Sequence, residues 1–231
     1  MGVRVLQRYG PADLSGFSVR EIKYAMARFG LLSALFRALQ AGPADAIRIR
    51  DLCKAAEVSE PSFFNYFPQK DDLFYYFVGL WSVDSFLYTR HRKPGLETLR
   101  EFYAYTGKVA EAHPYLMKEL LAYQARAEVT QRARFVPPLT LAEKTLAFGR
   151  VEGMEQIPDK GIRNLILLGL EQAVRRGELP RRTPLPGAAM AVGGIFFGVA
   201  GLCAASDFKG LSAHYLRSLG IVFKGLRAKG R

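Results

Sequence analysis

Between Arg48 and Lys70 the chain collects two arginines, a lysine and the small polar or aromatic residues Glu60, Ser62, Asn65 and Tyr66. Basic side chains of this kind hold phosphate groups, and short polar side chains beside them reach the edges of bases. Groupings that would do other chemistry are missing. Cys53 and Cys203 form no CxxC pair and cannot build a disulfide framework, which suits a reducing compartment. His91, His113 and His214 lie far apart, so no metal-ligand spacing appears. No glycine-rich phosphate loop, no nucleophile motif and no carboxylate pair at helical spacing beside a histidine is present. The expectation is a protein that is not an enzyme and needs no metal or cofactor.

The chain has 231 residues, of which 49% are hydrophobic and 23% charged, so a packed core is expected and global disorder is excluded. Its formal charge of +12 would draw it to nucleic acid, anionic membrane or acidic small molecules. That charge is unevenly spread. Residues 1–75 hold 10 Lys plus Arg against 8 Asp plus Glu, whereas residues 76–231 hold 23 against 13. Bulk charge therefore does not single out the Arg48–Lys70 segment, and the surplus points weakly to an acidic partner of the larger part. The first residues offer no apolar run long enough for a secretory signal, which predicts a cytoplasmic protein. Residues 1–20, with Arg4, Arg8 and Arg20 among glycines and a proline, read as a basic, loosely ordered arm able to touch phosphates or simply to fray.

The elements that must position these residues are helices. Apolar residues recur every three or four positions almost everywhere, and no sustained period-2 pattern occurs, so the fold is predicted to be all-α. A first helix is expected over Val19–Gln40, with Ile22, Met26, Phe29, Ser33, Phe36 and Leu39 along its buried face and Gly42-Pro43 after its end. A short helix over Ile49–Ala56, a break at Glu57-Val58-Ser59 and a second short helix over Glu60–Phe67 follow. Ser59 suits the N-cap, and Pro61 sits near the first helical position. A fourth helix restarts after Pro68 and closes at His91–Gly95. Further helices are expected over Leu96–Ala112, from Pro114 to about Val129, over Leu139–Arg150, from Asp159 to Gly177, through the Gly/Ala-rich stretch to about Ala205, and over Leu211–Arg227, with a loop at Thr130–Pro138.

Two short helices joined by a three-residue break and packed on a longer helix make a helix-turn-helix. Leu52, Val58, Phe63 and Phe67 supply its apolar contacts, and Cys53, Ala55 and Ala56 are small where the helices cross. The run Arg50-Asp-Leu-Cys-Lys-Ala-Ala-Glu-Val-Ser-Glu-Pro-Ser-Phe-Phe-Asn-Tyr-Phe-Pro-Gln-Lys-Asp-Asp-Leu73 resembles the DNA-binding segment of TetR-type (tetracycline-repressor-like) transcriptional regulators. The resemblance implies an all-α homodimer whose N-terminal domains each read half of a palindromic operator, and whose C-terminal domain binds a small inducer. It places a basic arm at residues 1–20, the helix-turn-helix at 21–75 and an effector-binding and dimerisation domain at 76–231. The DNA-facing set is then Arg48, Arg50, Glu60, Pro61, Ser62, Phe64, Asn65, Tyr66 and Lys70. Arg48, Arg50 and Lys70 are expected on phosphates, and Ser62, Asn65 and Tyr66 at base edges, with Glu60 able to accept from a cytosine amino group. This chain departs from the family pattern in four places. Ile47-Arg48 stands where a Thr or Ser cap is usual, Glu57 where the turn usually has Gly, and Phe64 where Tyr is frequent, and the connector before the second helix is slightly long.

The fourth to sixth helices are rich in aromatic residues. Most suit a core, while Phe77, Trp81, Tyr103 and Tyr123 are candidates to line a pocket for an amphipathic or aromatic effector. Because the fourth helix runs through both expected domains, an effector that tilts it would change the separation of two recognition helices. The uncharged stretch Thr183–Ser206 allows two uses. With Gly194, Phe197 and Gly198, and with Tyr215, Leu219 and Phe223 of the last helix, it would form a four-helix bundle between two copies. By length alone it could instead span a bilayer, making the chain a basic, membrane-attached helical protein. Its wealth of Gly and Ala favours the bundle and no membrane contact.

Overall fold

The computed structural model describes residues 6, 9–125, 137–159 and 161–228. Ten α-helices and no strand occur among them: α1 Val19–Leu39, α2 Ile49–Ala56, α3 Glu60–Tyr66, α4 Asp72–Thr89, α5 Leu96–Ala112, α6 Pro114–Ala125, α7 Leu141–Phe148, α8 Arg163–Arg175, α9 Leu185–Cys203 and α10 Leu211–Ala228. The all-α expectation holds. Short 3₁₀ turns at Ala44–Ala46 and Met154–Gln156 were not foreseen. The first takes up the long connector before α2. Arg4 and Arg8 of the expected arm, the end of the sixth helix after Ala125 and the loop up to residue 136 lie outside the described residues.

The described residues pack as two compact units, Leu6–Asp84 with Tyr115–Asp159, and Ser85–Pro114 with the described residues of Lys160–Arg231. The first unit is thus larger than a helix-turn-helix of residues 21–75. It takes in α1 to α3, α4 as far as Asp84, α6 and α7.

Within the first unit α1 is set by its ends and by one charge. Ser18 and Glu21 form a capping box that satisfies the first orphan N–H groups. The helix buries Ala25, Arg28, Leu31, Leu32, Ala34, Leu35 and Leu39. That face is rotated from the expected one, and Met26 stands 58% exposed. The physical reason is Arg28, whose burial opposite a carboxylate turns its side of the helix inward.

The segment before α1 is docked, unlike the loose arm expected for its described residues. The N–H groups of Tyr9 and Gly10 donate to the Phe148 carbonyl at 2.7 and 3.1 Å, and Arg150 N–H donates to the Pro11 carbonyl at 2.9 Å. Asp13 pairs with Arg150 at 3.1 Å, and the Tyr9 hydroxyl reaches Asp84 Oδ1 at 2.9 Å. Gly149 makes this possible, because its φ of 84° and ψ of 173° suit only glycine and a Cβ there would overlap the main chain of Gly10.

The second unit is a helical bundle built on aromatic contacts. The rings of Tyr103 and Tyr215 meet edge to face at 5.0 Å, and Phe102 stacks on Phe196 at 5.9 Å. Both buried hydroxyls find main-chain acceptors, Tyr103 on the Val192 carbonyl and Tyr215 on the Phe196 carbonyl. Gly107 lets α10 approach α5, since a Cβ there would stand 2.5 Å from the Ser212 nitrogen. Tyr215, Leu219 and Phe223 therefore face the interior of their own unit. Helix α9 is different. It buries only Ala188, Val192, Phe196 and Ala200, leaving Met190, Phe197 and Leu202 exposed, with open space over Gly194, Gly198 and Gly201. Among the described helices it is the one long and apolar enough to cross a membrane.

Replacing Gly149 with Ala combines backbone strain with a main-chain clash and is expected to cost about 3 kcal/mol, read as a fall of several degrees in melting temperature. A melting temperature within one degree of the parent, about the scatter of such a measurement, would show that the strap of residues 9–13 does not need this contact.

Candidate nucleic-acid interface

The geometry of the Arg48–Lys70 segment begins with its turn. Helix α2 ends at Ala56, and Glu57 adopts the left-handed conformation at φ 55° and ψ 39°. A residue with a Cβ is strained there, but the conformation lets the Val58 N–H donate back to the Cys53 carbonyl at 3.0 Å and reverses the chain. Ser59 then caps α3: its hydroxyl accepts from the Ser62 N–H at 3.2 Å and lies 2.8 Å from the Ser62 hydroxyl. Pro61 occupies the first turn, where its missing N–H costs little.

Burial divides α3 into two faces. Phe63 and the cap residue Phe67 are fully buried, with Leu52 and Cys53 of α2 beneath them. Burial also raises the Cys53 thiol above its usual range, as expected of an inert packing residue. Ala56 lies beneath Gly30 of α1, where the helices cross closely. On the other face Glu60, Pro61, Phe64 and Asn65 are exposed, and Ser62 and Tyr66 half-buried. Phe64 is 51% exposed, high for a large apolar ring on a soluble face. Four of the six α3 residues of the expected DNA-facing set, Glu60, Pro61, Phe64 and Asn65, thus share the exposed arc of the helix, and Ser62 and Tyr66 stand at its half-buried flank.

The basic residues are placed less uniformly. Arg50 is exposed in the first turn of α2, and Arg48 is exposed at its N-cap, where its side chain makes no capping hydrogen bond. Lys70 is engaged inside the protein. Its ammonium donates to the Ala44 carbonyl at 2.6 Å and the Ile47 carbonyl at 2.8 Å, tying down the turn that leads into α2. The same turn is held from the other side by Glu119 of α6, which accepts from the Ala44 N–H at 3.1 Å. Nothing in residue spacing announces Lys70 as a brace, because its acceptors lie more than twenty positions upstream.

Residues 31–76 match the family model for bacterial regulatory proteins of the tetR family, a span that runs from mid-α1 through both short helices into α4. The chain carries a TetR-type DNA-binding domain. It is a DNA-binding transcriptional regulator. No curated protein and no solved structure matches the chain. In the TetR-type domain, then, α3 is the recognition helix and α2 the helix that precedes it.

The candidates for an effector pocket separate. Phe77 and Trp81 are buried in the first unit with rings 5.9 Å apart, and Phe36 meets Phe77 edge to face at 5.0 Å. Tyr123 is buried there too, 5.8 Å from Phe74. Tyr103 belongs to the aromatic cluster of the other unit.

Residues that sequence inspection passed over include Tyr24 and Arg28. Tyr24 of α1 meets Tyr66 of the recognition helix edge to face at 5.4 Å. Replacing Glu57 with Gly should relieve the left-handed strain and raise stability by about 0.5–1 kcal/mol, seen as a higher melting temperature with unchanged helicity. A lower melting temperature would mean that the Glu57 side chain contributes more than its backbone costs.

Proposed function

We propose that the chain is a cytoplasmic repressor that binds a palindromic operator as a homodimer and releases it on binding a small amphipathic or aromatic effector. The outward face of α3 carries this reading, because one exposed short helix of polar and aromatic side chains is what a major groove admits. Ser62, Asn65 and Tyr66 take base edges, Glu60 accepts from a cytosine amino group, and Pro61 and Phe64 offer apolar contact to a thymine methyl. Arg48 and Arg50 take phosphates and set the register. Lys70 has three protons and uses two on the turn, so one remains for a phosphate at the same place.

Replacing Arg48 or Arg50 with Ala should weaken binding on all sequences alike and reduce the salt slope by about one. Lys70→Ala should do the same and also lower the melting temperature, because it releases the Ala44 and Ile47 carbonyls. An unchanged salt slope with a lowered melting temperature would make Lys70 a brace alone. The duplex for these titrations is the one that the full chain itself selects from a random-sequence pool. Absence of any inverted repeat in the selected duplexes would defeat the palindrome.

The open face of α9 supports the dimer. Met190, Gly194, Phe197, Gly198 and Leu202 are exposed and close-approach residues, and a two-fold axis would pair this face with itself. Tyr215, Leu219 and Phe223 back that face from inside the unit. Gly198→Arg is expected to turn a dimer into a monomer at micromolar concentration in sedimentation, with helicity retained and DNA binding lost. A chain that stays in solution only with detergent would instead favour residues 183–206 as a membrane segment.

For the effector, the aromatic interior around Phe77 and Trp81 is the favoured place, with Tyr123 of the same unit within its aromatic set and Tyr103 read as core of the other unit. The basic surplus of residues 76–231 leaves room for an acidic group on the ligand. Trp81 fluorescence tests this site, since a compound that releases DNA without changing that emission binds elsewhere.

A further inference from the structure

Arg28 and Glu143 form an ion pair with no exposed surface on either side chain, at 3.1 Å between Arg28 Nη1 and Glu143 Oε1. Glu143 is not free to follow its partner. Its Oε2 accepts from the Thr140 N–H at 2.8 Å and the Thr140 hydroxyl at 2.9 Å, closing the capping box at the start of α7. The carboxylate therefore moves with the main chain of α7. Arg28 is equally confined, with its guanidinium 4.4 Å from the centre of the Tyr76 ring, 5.0 Å from Phe67 and 5.2 Å from Tyr24. Its Nη1 also donates to the Tyr24 hydroxyl at 3.0 Å. Tyr24 in turn sets its ring edge to face against Tyr66, the last residue of the recognition helix. Tyr66 is half-buried, so unlike Phe63 and Phe67 it is not located by core packing. Three consecutive contacts thus run from the cap of α7 to the end of α3.

We propose that Glu143 and Arg28 are positioning residues for DNA reading, which through Tyr24 set the placement of Tyr66 and so tie operator affinity to the position of α7. This rests on the reading of Tyr66 as a groove-facing residue. Removing one member of a buried pair leaves an uncompensated charge and endangers folding, whereas replacing both with uncharged side chains of similar size is tolerated. The test is therefore the full chain with Arg28→Met and Glu143→Gln together, Gln keeping the capping contact to Thr140. It is measured on the duplex that the unmodified chain selects from a random pool, alone and combined with Tyr66→Ala, with melting temperature recorded for each.

The pair exchange should weaken binding about tenfold in the parent and less than about twofold in the Tyr66→Ala background, because residues acting in one chain of contacts are not additive. The salt slope should stay as it is, since no phosphate contact is lost. Losses that multiply in the combined variant, or a folded pair variant that binds like the parent, overturn the proposal while leaving Tyr66 as a DNA contact. A Tyr66→Ala variant that binds like the parent removes the groove-facing reading, and the positioning role with it. Should the pair variant not fold, Tyr24→Leu, which removes the ring from Tyr66 and leaves the ion pair intact, enters the same comparison with the same outcomes.

Discussion

A guanidinium taken wholly out of water is costly unless a counter-charge and further favourable contacts meet it there. Arg28 meets this requirement with Glu143, Tyr24, Phe67 and Tyr76. Those partners come from α7, α1, the end of α3 and α4, so one charge draws together four elements far apart in sequence. Losing one partner of such a pair costs on the order of 3–5 kcal/mol, a large part of a domain's net stability. The orientation of α1 follows from it, since the helix turns Arg28 and not Met26 to the interior. Burial also raises the phenols of Tyr76 and Tyr24, so both remain hydroxyls that can share in the network.

Around that centre the helix-turn-helix is held by local devices. Glu57 accepts backbone strain to make the reversal, Ser59 caps the recognition helix, and Lys70 with Glu119 fixes the turn into α2. Residues 1–75 carry little net charge. Phosphate attraction in this domain then depends on where a few cations stand and on a rigid frame behind them, because a scattered charge gives no register.

The second unit solves a different problem with different means. It has no buried ion pair among its described residues, and its order comes from aromatic rings set edge to face or stacked, with the buried Tyr103 and Tyr215 hydroxyls on helix carbonyls. Small residues let α5 and α10 approach, and α9 keeps its apolar face open. A helix so apolar and so little buried within its own chain is what a pairing surface requires, because the same residues in a finished core would already be covered.

Much of this was legible in the residue order alone. Helical periodicity, the cap at Ser59, the break at Glu57–Ser59 and the run from Arg50 to Leu73 are local properties, set by residues within a few positions, and they identify helices and a helix-turn-helix without reference to the rest of the chain. Glu57 in place of the usual glycine leaves open whether the turn keeps its left-handed conformation or shifts it, and the fold keeps it. Tertiary structure alone decided which face of α1 turned inward, that Lys70 braces a turn, that Tyr215, Leu219 and Phe223 point into their own unit, and that residues 9–13 are strapped to residues 148–150. Each of these depends on a partner from dozens to more than a hundred positions away, and a sequence records the side chains but not their meeting. An arginine on a helix reads as solvated surface until a carboxylate 115 residues downstream arrives beside it.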